Sequence, residues 1–527
     1  MPVAVLPLVP DLPPMLTTDP RDFLTRAPLA WSVIAGGLLA LAYPPFNLGS
    51  LSFVVVAVAL WISGLSQTTL PSWREVAWRS WTFGAVFHFG TLYWTGWVSI
   101  PGMFVMVAIL GGYIMLVFLA TRAAIARLGP AGIWTFPILW VAHEYLRTLG
   151  QLAFPWTNLS LSQVWALPLL QFAEFTGDLG ISFLVVVINV CIFESWRLYS
   201  SRGWRIAVRY TVIAVLLLAV PIGWGAWRMA SIVSRSSVRV AVLQGDIDSY
   251  VKWENNFVDQ SMAVYETLSR AAAAQGAELI VWPETAAPMY LRSDMKYLKE
   301  VLDLSRELKT RMLVGTLEYD RVEGGGYLRY NAAVQLVDGF YRKDFHAKLH
   351  LVPFGEWIPF SNYIQVLDKL EVGGAHFSAL DKYVLFDHPK GPFAAAICYE
   401  SVFPDIIRRF AKDGARFFVT ITNDGWYGFS SGPPQHAAHA ILRAIETRRP
   451  FARSANTGIS CFIDRVGVTR QVTHQYVPDM RIFDLPIGDA HEQTFFVRYG
   501  MWLGQACAGF SLALVAGLAV IHLRRKP

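Results

Sequence analysis

The sequence predicts two kinds of structure in one chain: a multi-pass α-helical membrane domain of about eight transmembrane helices, and an extracytoplasmic α/β domain placed before the last of them. Three observations predict it. Of the 527 residues, 54% are hydrophobic and only 16% are charged, a balance too apolar for an ordinary soluble protein and long enough for more than one domain. Near-continuous apolar runs stand in two blocks, one before residue 228 and one after residue 499. Between the blocks, short β-branched runs alternate with helical stretches.

The apolar runs fall at about 28–46, 49–66, 80–100, 102–121, 131–147, 177–196, 206–227 and 500–523. Several approach the ~20 residues that a helix needs to cross a bilayer, while the first two are short. With a cytoplasmic N-terminus, the cytoplasmic loops hold Arg74 and Arg79, then Arg122 and Arg127, then Arg197, Arg202 and Arg205, and last the tail Arg524-Arg525-Lys526. The opposite turns, Asn47-Leu48-Gly49 and Ile100-Pro101-Gly102, carry no basic residue, as the positive-inside rule requires. The segment between spans seven and eight therefore faces away from the cytoplasm. This gives three parts: 1–228, a tail and seven-helix membrane domain; 229–498, the external domain; and 499–527, a last span with a basic cytoplasmic tail.

The first 27 residues are proline-rich, contain Asp11, Asp19 and Asp22, and lack the basic-then-apolar layout of a cleaved signal. They read as a loose cytoplasmic tail. The cytoplasmic arginines and lysines account for the net charge of +6, so no nucleic-acid partner is needed to explain it. Of four cysteines, Cys191 and Cys507 lie in apolar runs and read as core residues, while Cys398 and Cys461 lie in the external segment. A disulfide between those two suits an oxidising compartment, but the surroundings of Cys398 favour a reactive thiol.

In the external segment, Val238–Leu243, Glu278–Trp282, Met312–Gly315, Phe393–Ile397 and Phe417–Thr422 read as strands, alternating with helices near 255–275, 293–308, 402–413 and 435–448. That alternation predicts an α/β layered domain. Functional groups of such sheets gather just past the carboxyl ends of strands. There the sequence places Glu284 in Trp282-Pro283-Glu284, Lys348 before His350-Leu351-Val352-Pro353-Phe354-Gly355-Glu356, Cys398 in Cys398-Tyr399-Glu400, and Asn423-Asp424. A carboxylate, an amine and a thiol suit covalent acyl transfer through a cysteine thioester, because the thiol needs a base and the tetrahedral oxyanion needs a cation. A nearby ammonium is expected to lower the pKa of the thiol.

These motifs, in this order and with these spans, resemble the carbon-nitrogen hydrolase (nitrilase) superfamily, and more narrowly the bacterial apolipoprotein N-acyltransferase family. Gln244-Gly245-Asp246-Ile247 with Lys252-Trp253, Pro155-Trp156 with Gln163, and Asn423-Asp424-Gly425-Trp426-Tyr427-Gly428 also resemble that family. Two departures, Asp246 where Asn is usual and Asn158-Leu159-Ser160 where a glycine usually follows Pro-Trp, touch loops.

The resemblance implies an αββα sandwich with Glu284 as base, Lys348 as oxyanion stabiliser and Cys398 as nucleophile, and no cofactor. It implies a two-step reaction in which a phospholipid, typically phosphatidylethanolamine, acylates Cys398. The α-amine of a diacylglyceryl-cysteine at an apolipoprotein N-terminus then takes the chain as an amide. Trp253, Glu356, Tyr399, Glu400 and Trp426 are expected to shape the cleft, with mobile loops near Gly355-Glu356-Trp357 and Gly373-Gly374. The implied location is the bacterial inner membrane, with the catalytic domain periplasmic.

Physics favours a lipid donor over a soluble amide. A ~16-carbon chain costs on the order of 12 kcal/mol to bring fully into water, at about 0.8 kcal/mol per methylene, so the site must come to the bilayer. Trp357-Ile358-Pro359-Phe360 is a candidate segment for dipping into it. Two rivals remain: a membrane-tethered amidase or nitrilase-type hydrolase sharing the triad, and a non-enzymatic transport or assembly protein. The spans hold few central charges and no evident repeat, which disfavours transport. His346 with His350 and His436 with His439 have helix-compatible spacing but no accompanying zincin Glu or cysteine pair, so no metal is expected. Glu144, Arg147, Glu174 and Asp178 lie at membrane depth or its edge, where mutual pairing that fixes helix packing is the favoured reading.

Overall fold

A computed structural model describes residues 27–249, 251, 255–361, 363, 377–489 and 491–523. Trp253, Lys252, the Gly373-Gly374 segment and both tails lie outside the described residues.

Each predicted apolar run overlaps a helix: Pro28–Ala40, Ser52–Ile62, Trp73–Leu92, Ile100–Leu128, Phe136–Leu146, Asp178–Arg202, Trp204–Ser231 and Trp502–Leu523. Local chemistry sets their ends. Ser72 and Glu75 form a capping box that starts Trp73–Leu92, and Ser99 caps Ile100–Leu128, which stops at Gly129 with φ 69°. Gly203, at φ 83°, makes the tight reversal between Asp178–Arg202 and Trp204–Ser231.

Among the described residues, four stretches are long and apolar enough to cross a bilayer: Ile100–Leu146, Asp178–Tyr199, Trp204–Ser231 and Trp502–Val520. Ile100–Leu146 takes in two of the predicted runs. Pro28–Ala40 and Ser52–Ile62 have 13 and 11 residues, and at 1.5 Å per residue span about 20 Å or less, short of the ~30 Å hydrocarbon core.

Among the described residues, the stretch from 236 to 487 holds twelve strands in two six-stranded sheets. The first contains β1 (Ser236–Gln244), β2 (Leu279–Val281), β3 (Arg311–Arg321), β4 (Tyr327–Val337), β5 (Phe340–Ala347) and β12 (Asp479–Ile487), in the order β12-β1-β2-β3-β4-β5. The second contains β6 (Leu385–Phe386), β7 (Phe393–Ile397), β8 (Phe417–Thr422), β9 (Phe451–Ala455), β10 (Cys461–Ile463) and β11 (Thr469–Arg470), in the order β11-β10-β9-β8-β7-β6. Each sheet has a parallel centre, β1-β2-β3 and β7-β8-β9, with antiparallel flanks.

Alternate residues explain the layers, since successive strand side chains face opposite ways. Val238, Val240 and Val242 meet Ala395, Ile397, Val419 and Ile421 between the sheets. On the outside of the first sheet, Ala241, Leu243 and Ile280 pack under the helices Asn255–Ala274 and Met295–Leu308. On the outside of the second, Ala394, Ala396 and Phe418 pack under Pro404–Lys412 and Gly432–Thr447.

The Gly432–Thr447 helix is covered twice. Ala440 and Ala444 face the sheet, while Ala438, Leu442 and Ile445 join Trp61, Leu161, Val185 and other residues of the membrane helices. Charged groups also cross this junction. Arg443 reaches Asp178 at 3.3 Å and Glu446 at 2.9 Å, and Arg448 reaches Glu174 at 2.7 Å. Glu174 also pairs with Arg228, so Glu174 and Asp178 fix the two parts to each other. Glu144 instead stays within the membrane part, accepting from Trp140 Nε1 and Leu159 N, and Arg147 donates to Thr157 and Asn158.

Candidate active site

Glu284, Lys348 and Cys398 leave the ends of β2, β5 and β7 and meet in one buried centre. Gly315 on β3 lets the Glu284 turn lie against the sheet: a Cβ there would sit 2.2 Å from Pro283 O and 2.8 Å from Glu284 Cα. The Glu284 carboxylate accepts from Asn331 Nδ2 at 2.7 Å and from the Asn423 amide at 2.8 Å, with Lys348 Nζ at 3.7 Å. Lys348 Nζ donates to Glu356 Oε1 at 2.8 Å. Glu356 is held in turn by Val352 N at 2.8 Å and Asn331 Nδ2 at 3.3 Å.

The Lys348 side chain is 1% exposed. Burial works to lower the pKa of this ammonium, but Glu356, Cys398 and Glu284 outweigh it and hold it above its ordinary value. The cation is therefore permanent, and it lies between two carboxylates.

Cys398 takes φ 51° at the turn from β7 into the 3-10 turn Cys398–Val402. A side-chain-bearing residue adopts this left-handed region at a cost, and such conformations gather at functional sites. Glu400 supports the turn: its carboxylate accepts from the Ile397 amide at 2.6 Å and the Leu349 amide at 2.6 Å, with His346 Nε2 at 3.1 Å. One side chain thus ties the thiol's turn to the residue after Lys348.

The thiol is governed mainly by burial. Burial and the Glu284 charge push it up to about 12, and Lys348 offsets this only in part. The ammonium does lower the thiol's pKa, as expected, but desolvation is the larger effect, so the resting group is S–H rather than thiolate.

Behind Cys398 stands a second buried network. The Cys398 carbonyl accepts from Ser401 Oγ at 2.8 Å and lies 3.0 Å from His436 Nε2. His436 Nδ1 is 2.9 Å from Asp424 Oδ1, and Asp424 Oδ2 accepts from Arg453 at 2.8 Å. Burial would raise the Asp424 carboxyl, but Arg453 and His436 hold it well below the usual carboxylate range. One residue before His436, Gln435 makes four bonds to the membrane part. Its Oε1 accepts from Trp94 Nε1 (3.1 Å) and Trp156 Nε1 (2.9 Å), and its Nε2 donates to Pro44 O (3.2 Å) and Thr91 O (3.0 Å).

The other expected cleft residues divide. Glu356 stands in the centre, against Lys348. Glu400 is fully buried with both oxygens taken by backbone amides, so it braces the turn and does not line a cleft. Tyr399 donates its hydroxyl to Ala153 O at 2.8 Å and packs near Trp156, which anchors the turn to the membrane part. Trp426 is 38% exposed, and Trp253 lies outside the described residues. In the expected dipping segment Ile358 and Pro359 are buried, whereas Phe360 is exposed, as is Phe354 nearby. His346 is on β5, not a helix, and Cys398 and Cys461 are both free thiols.

Sequence reasoning missed Asn331, which joins the two carboxylates. It sits within β4, and nothing in the surrounding pattern distinguishes it from a strand polar residue. Gln435 was missed too, although its neighbour His436 had been noted.

Comparison with known proteins follows this division. A family profile described as the apolipoprotein N-acyltransferase N-terminal domain matches residues 35–191, and one described as carbon-nitrogen hydrolase matches residues 239–490. The apolipoprotein N-acyltransferase of Geobacter metallireducens is 34% identical over 521 residues, covering 96% of this chain and 97% of that protein. Those of Chlorobaculum tepidum and Brucella melitensis are 27% and 30% identical, covering 94% and 82% of this chain and 97% and 85% of theirs.

Proposed function

The chain belongs to the apolipoprotein N-acyltransferase family and is a membrane acyltransferase, and from that premise we propose the reaction its centre performs. A phospholipid, with phosphatidylethanolamine the expected donor, gives an acyl chain to Cys398 as a thioester. The chain then passes to the α-amine of a diacylglyceryl-cysteine at the N-terminus of an apolipoprotein. The observation that carries this reading is the meeting of Glu284, Lys348 and Cys398 in a buried centre tied to membrane helices through Tyr399 and Gln435.

The steps balance as follows. Glu284 takes the Sγ proton as sulfur attacks the ester carbonyl, and the Lys348 ammonium stabilises the oxyanion. Collapse breaks the ester C–O bond, and the lysophospholipid alkoxide leaves with the proton that Glu284 held. The acceptor amine then attacks the thioester, Glu284 takes its proton, and Cys398 leaves as the thiol. Because the resting thiol is protonated, the carboxylate's proton transfer must accompany attack rather than precede it. Glu356 fixes the lysine, and Asn331 and the Asn423 amide aim the base.

The same reading takes the eight apolar runs as spans, the residues beyond the two short helices completing their crossings, with residues 229–498 on the periplasmic face of the inner membrane and both termini cytoplasmic. The basic loops and tail on one side, set against turns with no basic residue on the other, support that orientation.

The test is to incubate purified protein with a phospholipid carrying a labelled acyl chain, map the label, then add a diacylglyceryl-cysteine peptide. Label should reside on Cys398, move to the peptide amine, and be absent from Cys398→Ala. Label lost only to water would favour the tethered hydrolase, and no label on Cys398 would sink the thioester.

A further inference from the structure

A cleft of about 340 Å³ opens beside the catalytic base and is lined by Asp246, Asp248, Ser249, Gly425, Thr457 and Tyr476. It is one residue away from Glu284. The Asn423 amide holds the Glu284 carboxylate, and the Asn423 side-chain oxygen accepts from Ser249 Oγ at 3.0 Å in the cleft wall.

Its lining has a one-sided chemistry. The charged groups are two carboxylates, with no lysine or arginine among the described lining residues. Asp246 is rigidly set just past β1 at φ 53°, with its amide donating to Asn456 O at 2.8 Å. Thr457 supplies the independent observation: it is 4% exposed, lines the cleft, and its Oγ1 has no hydrogen-bond partner. A buried hydroxyl left unpaired costs about 1–3 kcal/mol, and a ligand with an N–H would relieve it. Gly425 keeps the space open, since a Cβ there would come within 2.4 Å of Ser249 Oγ and 3.0 Å of Thr457 Oγ1.

Carboxylates with a hydroxyl select a cation that brings N–H donors. No group of three His, Cys, Asp or Glu residues among the described residues has metal-holding geometry, and the volume exceeds what a bare ion fills. A primary ammonium has three donors and one positive charge, while a quaternary ammonium has no donor at all. We infer that this cleft, resting on the acyl-transfer reading of the neighbouring centre, is a recognition site for a primary ammonium carried by a substrate. Burial and the Asp248 charge both raise the Asp246 carboxyl, a direction that a bound cation opposes. The ammonium has two sources, the head group of an aminophospholipid donor or an amine of the acceptor peptide.

Asp246→Asn keeps the shape and tolerates the left-handed backbone. Thr457→Val keeps the volume and removes only the unpaired hydroxyl, so a purely structural role predicts an unchanged or higher Tm. Binding of glycerophosphoethanolamine and of glycerophosphocholine to the full-length protein is measured by calorimetry. Acylation of Cys398 is then followed with phosphatidylethanolamine and with phosphatidylglycerol.

The wild type should bind the primary ammonium and not the quaternary one. Both variants should weaken that binding and cut the preference for phosphatidylethanolamine by about fivefold through KM, the size of one charge-assisted contact. If instead only the KM for the acceptor peptide rises, the ammonium is the acceptor's. Equal binding of both head-group probes, with unchanged KM values for lipid and peptide in both variants, would overturn the inference. Head-group discrimination without any acyl-cysteine would leave the ammonium site standing and remove the thioester.

Discussion

Two helices occupy matching outer layers of the sandwich and have opposite fates. Met295–Leu308 covers the first sheet and buries only Val301, Leu304 and Ser305 of its 14 residues. Gly432–Thr447 covers the second sheet and buries 13 of its 16 residues, among them Gln435, His436, His439, Arg443 and Glu446. Each helix region carries an Arg–acid pair at i,i+3. Arg306–Asp303 is 60% and 52% exposed, whereas Arg443–Glu446 is fully buried. The difference teaches that the membrane part acts as a second solvent for the α/β domain, one that supplies partners to the Gln435 amide and the Arg443 guanidinium that it covers.

Replacing Arg443 with Met should break this pattern most. It strips the cation from Asp178 and Glu446 together, and a buried pair that loses one member typically costs about 3–5 kcal/mol. Thermal unfolding in detergent would show a large fall in Tm; a change within error would mean that the junction carries no weight.

Gln435→Leu should come next. It leaves two indole N–H groups and two carbonyls unpaired, with an expected loss of about 2–3 kcal/mol if the site partly relaxes. Because His436 contacts the Cys398 carbonyl, this variant should also change the rate at which iodoacetamide alkylates Cys398. In the wild type that rate should rise about tenfold per pH unit through neutrality, because the thiol sits at about 12 and only the thiolate reacts. A plateau near pH 7 would show a preformed thiolate instead.

The smallest effect belongs to the water-facing helix. Arg306→Met should change stability by less than about 0.5 kcal/mol, as expected for an exposed pair, and leave alkylation untouched. A larger loss would erase the contrast between the two layers.

The same contrast marks what was legible in the sequence. β1, β2, β3, β7 and β8 could be read because their buried β-branched or apolar runs are continuous. β5 and β12 are mostly exposed or half-buried with no regular alternation, and β6 and β11 have two residues each, so local pattern alone does not mark them. Glu284, Lys348 and Cys398 were legible because each follows a strand end with a chemical type suited to acyl transfer. The role of Glu400 was not, since adjacency to Cys398 along the chain suggests a cleft residue while the turn aims its carboxylate at Ile397 N and Leu349 N. The roles of Gln435 and Arg443 were not legible because their partners, Trp94, Trp156 and Asp178, come from more than 250 residues away.

The double covering of Gly432–Thr447 also governs whether the halves can be detached. The link at Ile232–Arg235 is exposed at Val233 and offers a place to cut. Severing it would not set free a water-soluble enzyme, because Ala438, Leu442 and Ile445 would be bared beside Gln435 and Arg443, with their partners gone. A nicked chain should therefore stay together as one particle, held by an internal seam that works like a subunit interface.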